Sequence, residues 1–112
     1  MSGDNFLGSF EQLVVLAVVR LGDDAYGMTV RQELEEQTNR AVSLGAVYAT
    51  LDRLENKGYI KSNKSNSKAG AQRQGRAKRF FRVKPSGLAT LRKALECVER
   101  MSEGLPELGG AT

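Results

Sequence analysis

A chain of 112 residues is long enough for one domain with a modest core. Hydrophobic residues make up 40% and charged residues 27%, as in ordinary folded proteins, and the longest apolar run, residues 13–19, is too short to span a bilayer. The chain has no histidine, the commonest general base and metal ligand, and its single cysteine, Cys97, can form neither an internal disulfide nor a structural zinc site. These features argue against a membrane protein, a disulfide-stabilised secreted protein and a metalloenzyme. They predict a cytoplasmic protein without a cofactor or metal.

The positive charge is concentrated in one segment. The net charge is +4, but residues 61–84 contain nine lysines and arginines and no acid, so the rest of the chain carries −5. A solvated charged surface is the usual explanation of such a run. Cations at this density repel one another unless a polyanion faces them, and the interleaved Phe80 and Phe81 favour a structured hairpin. We therefore expect the segment to bind phosphates; RNA is the less favoured polyanion, because a broad sheet with exposed aromatic residues is not predicted.

Three helices are predicted before the basic segment, because apolar residues recur there at intervals of three and four. Ser9, with Gln12 three residues later, is the predicted N-cap of the first helix, and Asp24 and Ser43 are the predicted N-caps of the next two. Gly58 follows the third helix at the position that a C-terminal cap prefers. The predicted helices cover residues 6–21, about 25–37 and about 44–57.

A β-hairpin and a fourth helix follow. Residues 59–60 begin a short strand, residues 62–77 are polar and predict a loop, and residues 78–83 alternate as a second strand. Pro85 suits the first turn of a helix that is expected to end near Glu103.

The order of these elements predicts a mostly helical α+β protein, a winged helix-turn-helix with a C-terminal dimerisation helix. The expected divisions are a DNA-binding domain at residues 1–84, a dimerisation helix at 85–104 and a flexible tail at 105–112.

Three stretches are similar to motifs of the PadR family of bacterial transcriptional regulators, specifically its short members with a single C-terminal helix. They are residues 26–30 (YGMTV), 44–60 (LGAVYATLDRLENKGYI) and 75–83 (GRAKRFFRV). The resemblance covers roughly residues 9–95, and the middle stretch is its most specific part. It implies a homodimeric regulator, a repressor, that binds double-stranded DNA in the bacterial cytoplasm, associated with the nucleoid.

The third helix is the predicted recognition helix. Small residues near its N-terminus would let it lie deep in a major groove, whereas a plain amphipathic core helix would show the same periodicity; the adjacent basic hairpin and the family motif favour recognition. Tyr48 has two interpretations, packing at the edge of the core or donating to a phosphate, and the resemblance favours the second. We expect bases to be contacted by Ser43, Thr50 and Arg53. We expect phosphates to be contacted by Tyr48, Lys57, Lys61, Lys64, Arg73, Arg76, Lys78 and Arg79.

The fourth helix carries a predicted dimerisation seam. Its apolar residues follow the 3-4-3 spacing of a coiled coil, and an apolar stripe along a helix of this length is typical of an interface. The predicted interface residues are Phe6, Phe10, Leu88, Leu91, Leu95 and Val98. Some members of the family bind aromatic compounds at the dimer interface, so the resemblance also suggests a small aromatic effector. We expect it between the first helix and the C-terminal helices, near Phe6, Phe10 and Leu95.

Catalysis is not indicated, because the acidic residues fit helix caps and a solvated helix face better than an acid–base pair. The alternative to DNA binding is a winged-helix protein–protein interaction module whose third helix or hairpin docks an acidic partner. The salt dependence of binding to random duplex DNA and to an acidic protein would distinguish the two functions.

Overall fold

The computed structural model describes residues 7–64 and 78–109. This part of the chain forms four α-helices, one antiparallel pair of strands and two short 3-10 helices, in the predicted order. The helices are α1 (Ser9–Leu21), α2 (Gly27–Thr38), α3 (Leu44–Asn56) and α4 (Pro85–Ser102), the strands are β1 (Ile60–Lys64) and β2 (Arg79–Val83), and the 3-10 helices are Gly22–Asp24 and Pro106–Leu108. The predicted mostly helical winged-helix fold is thereby confirmed. The second 3-10 helix lies in the segment that was expected to be a flexible tail, of which residues 110–112 lie outside the described residues.

The core is built around α1, which packs against α2, α3, α4 and β2. Val14 and Val15 on α1 and Leu51 and Leu54 on α3 are all fully buried. Each such side chain contributes on the order of 1.5–3 kcal/mol of transfer free energy, so this cluster fixes the position of α3 relative to α1.

The start of α1 differs from the sequence prediction. The N-cap is Gly8 rather than Ser9, and the Gly8 backbone N–H donates to the Glu11 carboxylate at 2.8 Å. Gln12 instead donates to the Leu7 carbonyl at 3.0 Å. The predicted Ser9 cap is wrong because Ser9 is the first residue of the helix, and Glu11 in the same turn is the acceptor for the N-cap residue Gly8.

The predicted Asp24 cap of α2 is also wrong. Tyr26 is the N-cap of α2, and its backbone N–H donates to the Thr29 hydroxyl at 3.0 Å. That hydroxyl donates to the Asp24 backbone carbonyl at 2.6 Å, so a threonine inside the first turn does the capping. The helix ends at Asn39 in the left-handed conformation, and the turn towards α3 is closed by the Val42 N–H, which donates to the Glu35 carboxylate at 2.8 Å.

Both predicted caps of α3 are confirmed. The Ser43 hydroxyl accepts from the Ala46 N–H at 3.1 Å. Gly58 has a φ of +84°, and the N–H groups of Gly58 and Tyr59 donate to the carbonyls of Glu55 and Leu54, both at 3.0 Å. These two bonds form a Schellman motif, which turns the chain directly from α3 into β1.

The hairpin is anchored to the start of α2. β1 and β2 are antiparallel, from the pair Ile60–Val83 to the pair Lys64–Arg79. On the other side of β2, the Phe81 N–H donates to the Ala25 carbonyl at 2.8 Å. Because Phe81 is buried and joins the core, the wing and the helix-turn-helix form one packed unit.

Candidate nucleic-acid interface

One side of α3 is free of core contacts in the described structure. Its exposed positions recur at intervals that place them along one stripe of the helix, and those in the N-terminal half are small. These residues are Gly45, Ala46, Ala49, Asp52, Arg53 and Asn56. The helix therefore presents a narrow surface at its beginning and longer polar side chains towards its end.

Ser43 and Thr50 do not share one environment. Ser43 is exposed at the N-terminus of α3, where its hydroxyl caps the helix. Thr50 is only 2% exposed and lies among the buried side chains. Its spacing from Val47 and Leu54 puts it on the core stripe, which is the signal that the sequence prediction overlooked. Thr50 therefore has no surface from which to contact a base, and we leave it out of the interface.

A carboxylate from α1 holds the two cations at the end of α3. Glu11 Oε2 accepts from Arg53 Nε at 3.2 Å and from Lys57 Nζ at 3.1 Å. Burial raises the pKa of Glu11, but the Gly8 N–H, the Lys57 ammonium and the Arg53 guanidinium outweigh it and hold the pKa below its ordinary value. Arg53 remains 54% exposed, and its Nη2 atom donates to the Thr50 hydroxyl at 3.4 Å. Sequence analysis missed Glu11 because its partners lie more than 40 residues away.

Tyr48 lies between α3 and the start of α2. It is half-buried and packs against the core. A Cβ atom on Gly27 would overlap the Tyr48 hydroxyl, so the phenol ring rests on the α2 backbone. This position is compatible with both interpretations of Tyr48, because the ring packs at the edge of the core while its hydroxyl lies at the first turn of α2.

Arg79 joins the hairpin to α3. Its Nη2 atom donates to Asp52 Oδ1 at 3.0 Å and to Glu55 Oε1 at 2.8 Å, and its Nε atom donates to Ser62 Oγ at 3.2 Å. Burial lowers the pKa of Arg79, but the two carboxylates outweigh burial and raise the pKa above its ordinary value. This guanidinium therefore lies in a carboxylate site rather than on an open surface.

The other cations of the predicted set differ in their surroundings. Lys61 is exposed on β1, and the Lys78 ammonium lies 4.3 Å from the centroid of the Tyr26 ring. Arg82, outside the predicted set, pairs with Asp23 at 2.6 Å, so it is partly neutralised. Arg73, Arg76 and the side chain of Lys64 lie outside the described residues.

The predicted dimerisation seam is divided by the fold. Leu88, Leu95 and Val98 are 38%, 40% and 57% exposed, whereas Leu91 is 5% exposed and belongs to the core of its own protomer. Phe10 is half-buried against the same core, and Phe6 lies outside the described residues. Within the apolar stripe of α4, Leu91 thus faces the body, whereas Leu88, Leu95 and Val98 expose apolar surface.

Neither a membrane-spanning helix nor a metal-binding cluster is found among residues 7–64 and 78–109. No helix there is long and apolar enough to cross a membrane. The same residues contain no group of three or more acidic or cysteine side chains that could hold a metal ion.

Comparison with known proteins identifies the family. Residues 15–93 match the model of the transcriptional regulator PadR-like family. No curated protein sequence matches significantly. Solved structures with the same fold include a PadR-like transcription factor from Bacteroides fragilis, at 20% identity and a TM-score of 0.70, with 91% of each chain covered.

Two PadR family regulators are similarly related in structure. The protein from Eggerthella lenta is 23% identical with a TM-score of 0.66, covering 89% of this chain and 83% of its own. The protein from Clostridium difficile is 19% identical with a TM-score of 0.68, covering 88% and 96%. Because the family model spans well over half of the sequence, this chain belongs to the PadR-like family of transcriptional regulators, whose function is DNA-binding regulation.

Proposed function

We propose that this regulator is a repressor that binds a specific duplex DNA sequence as a homodimer, with α3 in the major groove and the hairpin on the phosphate backbone. The observation that carries the proposal is the exposed face of α3, which is narrow at its start and flanked by cations on α3 and on the hairpin.

The shape of α3 supports insertion into a major groove. Glycine and alanine at positions 45, 46 and 49 leave space for the helix to approach base edges. Ser43 and Asn56 carry groups that can donate to or accept from bases, and the Arg53 side chain is 54% exposed while it bonds to Glu11 and Thr50. We assign base contacts to these three residues.

The charges around α3 support backbone contacts. Lys57, Lys61 and Lys78 are the described cations that we assign to phosphates, with the Tyr48 hydroxyl beside the start of α2. Lys64, Arg73 and Arg76 belong to the same basic segment of the sequence, residues 61–84, and we assign them to phosphates as well. Each cation that neutralises a phosphate releases condensed counterions, which makes binding strongly dependent on salt.

The exposed end of the α4 stripe supports the homodimer. Leu95 and Val98 expose apolar surface that a second copy of the helix would cover. A two-fold dimer places two α3 helices on the DNA and predicts two related half-sites, separated by about one helical turn or a multiple of it. Such a dimer represses by occupying DNA that the transcription machinery needs. We retain a small aromatic effector near Phe10 and Leu95 as part of the proposal, to be tested by screening planar compounds for a shift in DNA affinity.

Selection of bound sequences from random duplex DNA tests the proposal. We expect enrichment of a two-fold symmetric site, and we expect Arg53→Ala to relax the preference at one position of each half-site by about 1–3 kcal/mol. Arg20→Ala is the matched control, because Arg20 is an exposed arginine that pairs with Glu33 away from α3. A wild-type protein that enriches no sequence would contradict the proposal, and salt-dependent capture of an acidic protein instead would favour a protein–protein interaction module.

A further inference from the structure

We infer that Arg79 is a positioning residue that locks the hairpin to the recognition helix, and that it does not bind phosphate. Its role in DNA recognition rests on the proposed function. Sequence analysis placed Arg79 among the phosphate-binding cations, because it lies in the basic segment, but its contacts indicate a different use.

Three elements meet at the Arg79 guanidinium. From β2 it donates to Asp52 and Glu55 on α3 and to Ser62 on β1. The Ser62 hydroxyl donates in turn to the other oxygen of Glu55 at 2.9 Å. The four side chains form a connected hydrogen-bonded network, and it joins both strands of the hairpin to one side of α3.

The charge of this network opposes phosphate binding. One guanidinium faces two carboxylates, so the cluster of Arg79, Asp52 and Glu55 carries a net negative charge. The hydrogen bonds of Arg79 use its Nε and Nη2 atoms, and a phosphate would have to compete with the two carboxylates for this cation. The guanidinium carbon also lies 4.9 Å from the centroid of the Phe81 ring, which is buried in the core. The Arg79 guanidinium therefore contacts the two carboxylates and the Phe81 ring.

Because the network joins the hairpin to α3, it can fix the orientation of these two DNA-binding elements relative to each other. A helix in a groove and a hairpin on the backbone can contact one duplex together only if the angle between them is fixed, and a supporting shell of hydrogen bonds is the usual means of fixing it. Arg82 offers a contrast on the same strand, because its ion-pair partner among the described residues is Asp23, whose side chain is 88% exposed.

Two variants of Arg79 separate positioning from phosphate binding. Lysine keeps the positive charge but lacks the planar fork that reaches both carboxylates and Ser62, whereas glutamine removes the charge. If Arg79 positions the hairpin, both Arg79→Lys and Arg79→Gln should weaken binding to the selected site by roughly tenfold. Binding to random duplex DNA and its salt slope should change little. If Arg79 binds phosphate, Arg79→Gln should lower the slope by about 0.9 per protomer and Arg79→Lys should restore it.

A double variant tests the network by changing the carboxylates instead of Arg79. The double variant Asp52→Asn with Glu55→Gln keeps Arg79 but removes both carboxylates. We expect it to bind random DNA more tightly, with a salt slope steeper by about 0.9 per protomer, and to lose preference for the selected site. An undiminished preference for the selected site would contradict the inference, because the two carboxylates would then not be needed to position the hairpin.

Hydrogen exchange in the DNA-free protein distinguishes a failure of this inference from a failure of the proposed function. Arg79→Lys should accelerate exchange of the β1 and β2 amides without accelerating exchange at Val14 and Val15 in α1. Arg20→Lys, which alters the separate pair with Glu33, should leave the hairpin amides unchanged. If the wild-type protein selects no DNA sequence, the proposed function fails. The exchange result still shows whether Arg79 couples the hairpin to α3. Equal exchange in wild type and Arg79→Lys would overturn the coupling itself.

Discussion

Gly27, the first residue of α2, lies directly beneath the side chain of Tyr48 on α3. A Cβ atom at position 27 would overlap the hydroxyl oxygen and two ring carbons of Tyr48, so only glycine allows this approach. The contact sets the distance between the two helices of the helix-turn-helix. It also holds Tyr48 at the first turn of α2, where its hydroxyl is assigned to a phosphate.

Replacing Gly27 with alanine should therefore push Tyr48 out of its place. We expect Gly27→Ala to destabilise the protein by about 1–3 kcal/mol, because the added methyl group overpacks the helix interface. The cost should be smaller in a Tyr48→Ala background, where the overlapping atoms are gone, and urea unfolding of the four proteins of the double-mutant cycle measures this coupling. Gly45→Ala is the matched control, since no atom lies within 4 Å of a Cβ built there. Equal costs of Gly27→Ala in both backgrounds would show that the clash is not with Tyr48.

The elements of this fold were predictable because their signals are local. Ser43 and Gly58 form their capping hydrogen bonds with residues only a few positions away in the sequence, so α3 was predicted almost to its boundaries. Likewise, the alternation of residues 78–83 predicted the second strand, in which Phe81 is buried and Arg82 is exposed.

The details of the candidate site were less predictable because they depend on distant residues. Arg79 pairs with Asp52 and Glu55 across 27 and 24 positions of sequence, and a run of cations gives no sign that one of them faces inward. The pairs of Glu11 with Arg53 and Lys57 likewise join the first helix to the third. The Ser9 cap failed for a local reason instead, since Glu11 at the third position of α1 accepts from the Gly8 N–H and the helix begins one residue after Gly8.

The exposed end of α4 should control assembly. Replacing Leu95 and Val98 with lysine puts two charges on the apolar stripe, so we expect a monomer by sedimentation and a loss of affinity for the selected DNA site. Leu91 is unsuitable for this test, because it is buried in the core and its replacement would unfold the protein. Ala89→Lys with Cys97→Lys is the matched control, since both residues are exposed and lie on the opposite side of the helix. Wild-type sedimentation of the Leu95 and Val98 variant would place the interface elsewhere.

Glu11 should make stability depend on pH. Its pKa is lower in the folded chain than the ordinary value of 4.5, so the unfolded chain takes up the proton first as the pH falls. The stabilisation from Glu11 is therefore fully present above the ordinary value and is lost as the pH falls through the folded pKa. We expect Glu11→Gln to cost about 1–2 kcal/mol at pH 7, because Arg53 and Lys57 lose their shared partner.

Urea unfolding of wild type and Glu11→Gln at pH 7, 5, 4 and 3 measures this dependence. The difference between the two proteins should be constant from pH 7 to about pH 5 and shrink below it. Glu36→Gln serves as the control, because Glu36 is an exposed carboxylate on α2. A difference that stays constant down to pH 3 would show that the cost comes from lost packing rather than from the charge of Glu11.

The salt dependence of DNA binding should identify the cations of the hairpin. The double-logarithmic salt slope counts about 0.9 per neutralised phosphate on duplex DNA. Replacing Arg73, Arg76 and Lys78 with glutamine removes three assigned contacts from each protomer, so a dimer should lose up to about five units of slope. Because phosphates carry no sequence information, affinity for the selected site and for random DNA should fall together.

Removing an equal number of positive charges from α4 serves as the control. Arg92, Lys93 and Arg100 are exposed on that helix and have no assigned DNA contact, and their replacement by glutamine lowers the net charge of the protein by the same amount. We expect the slope of this variant to equal that of wild type, because counterion release requires cations at the phosphates and not merely on the protein. Equal slopes in the hairpin variant and wild type would remove the hairpin from the interface. A fall in affinity for the selected site alone would instead make one of its three residues a base contact.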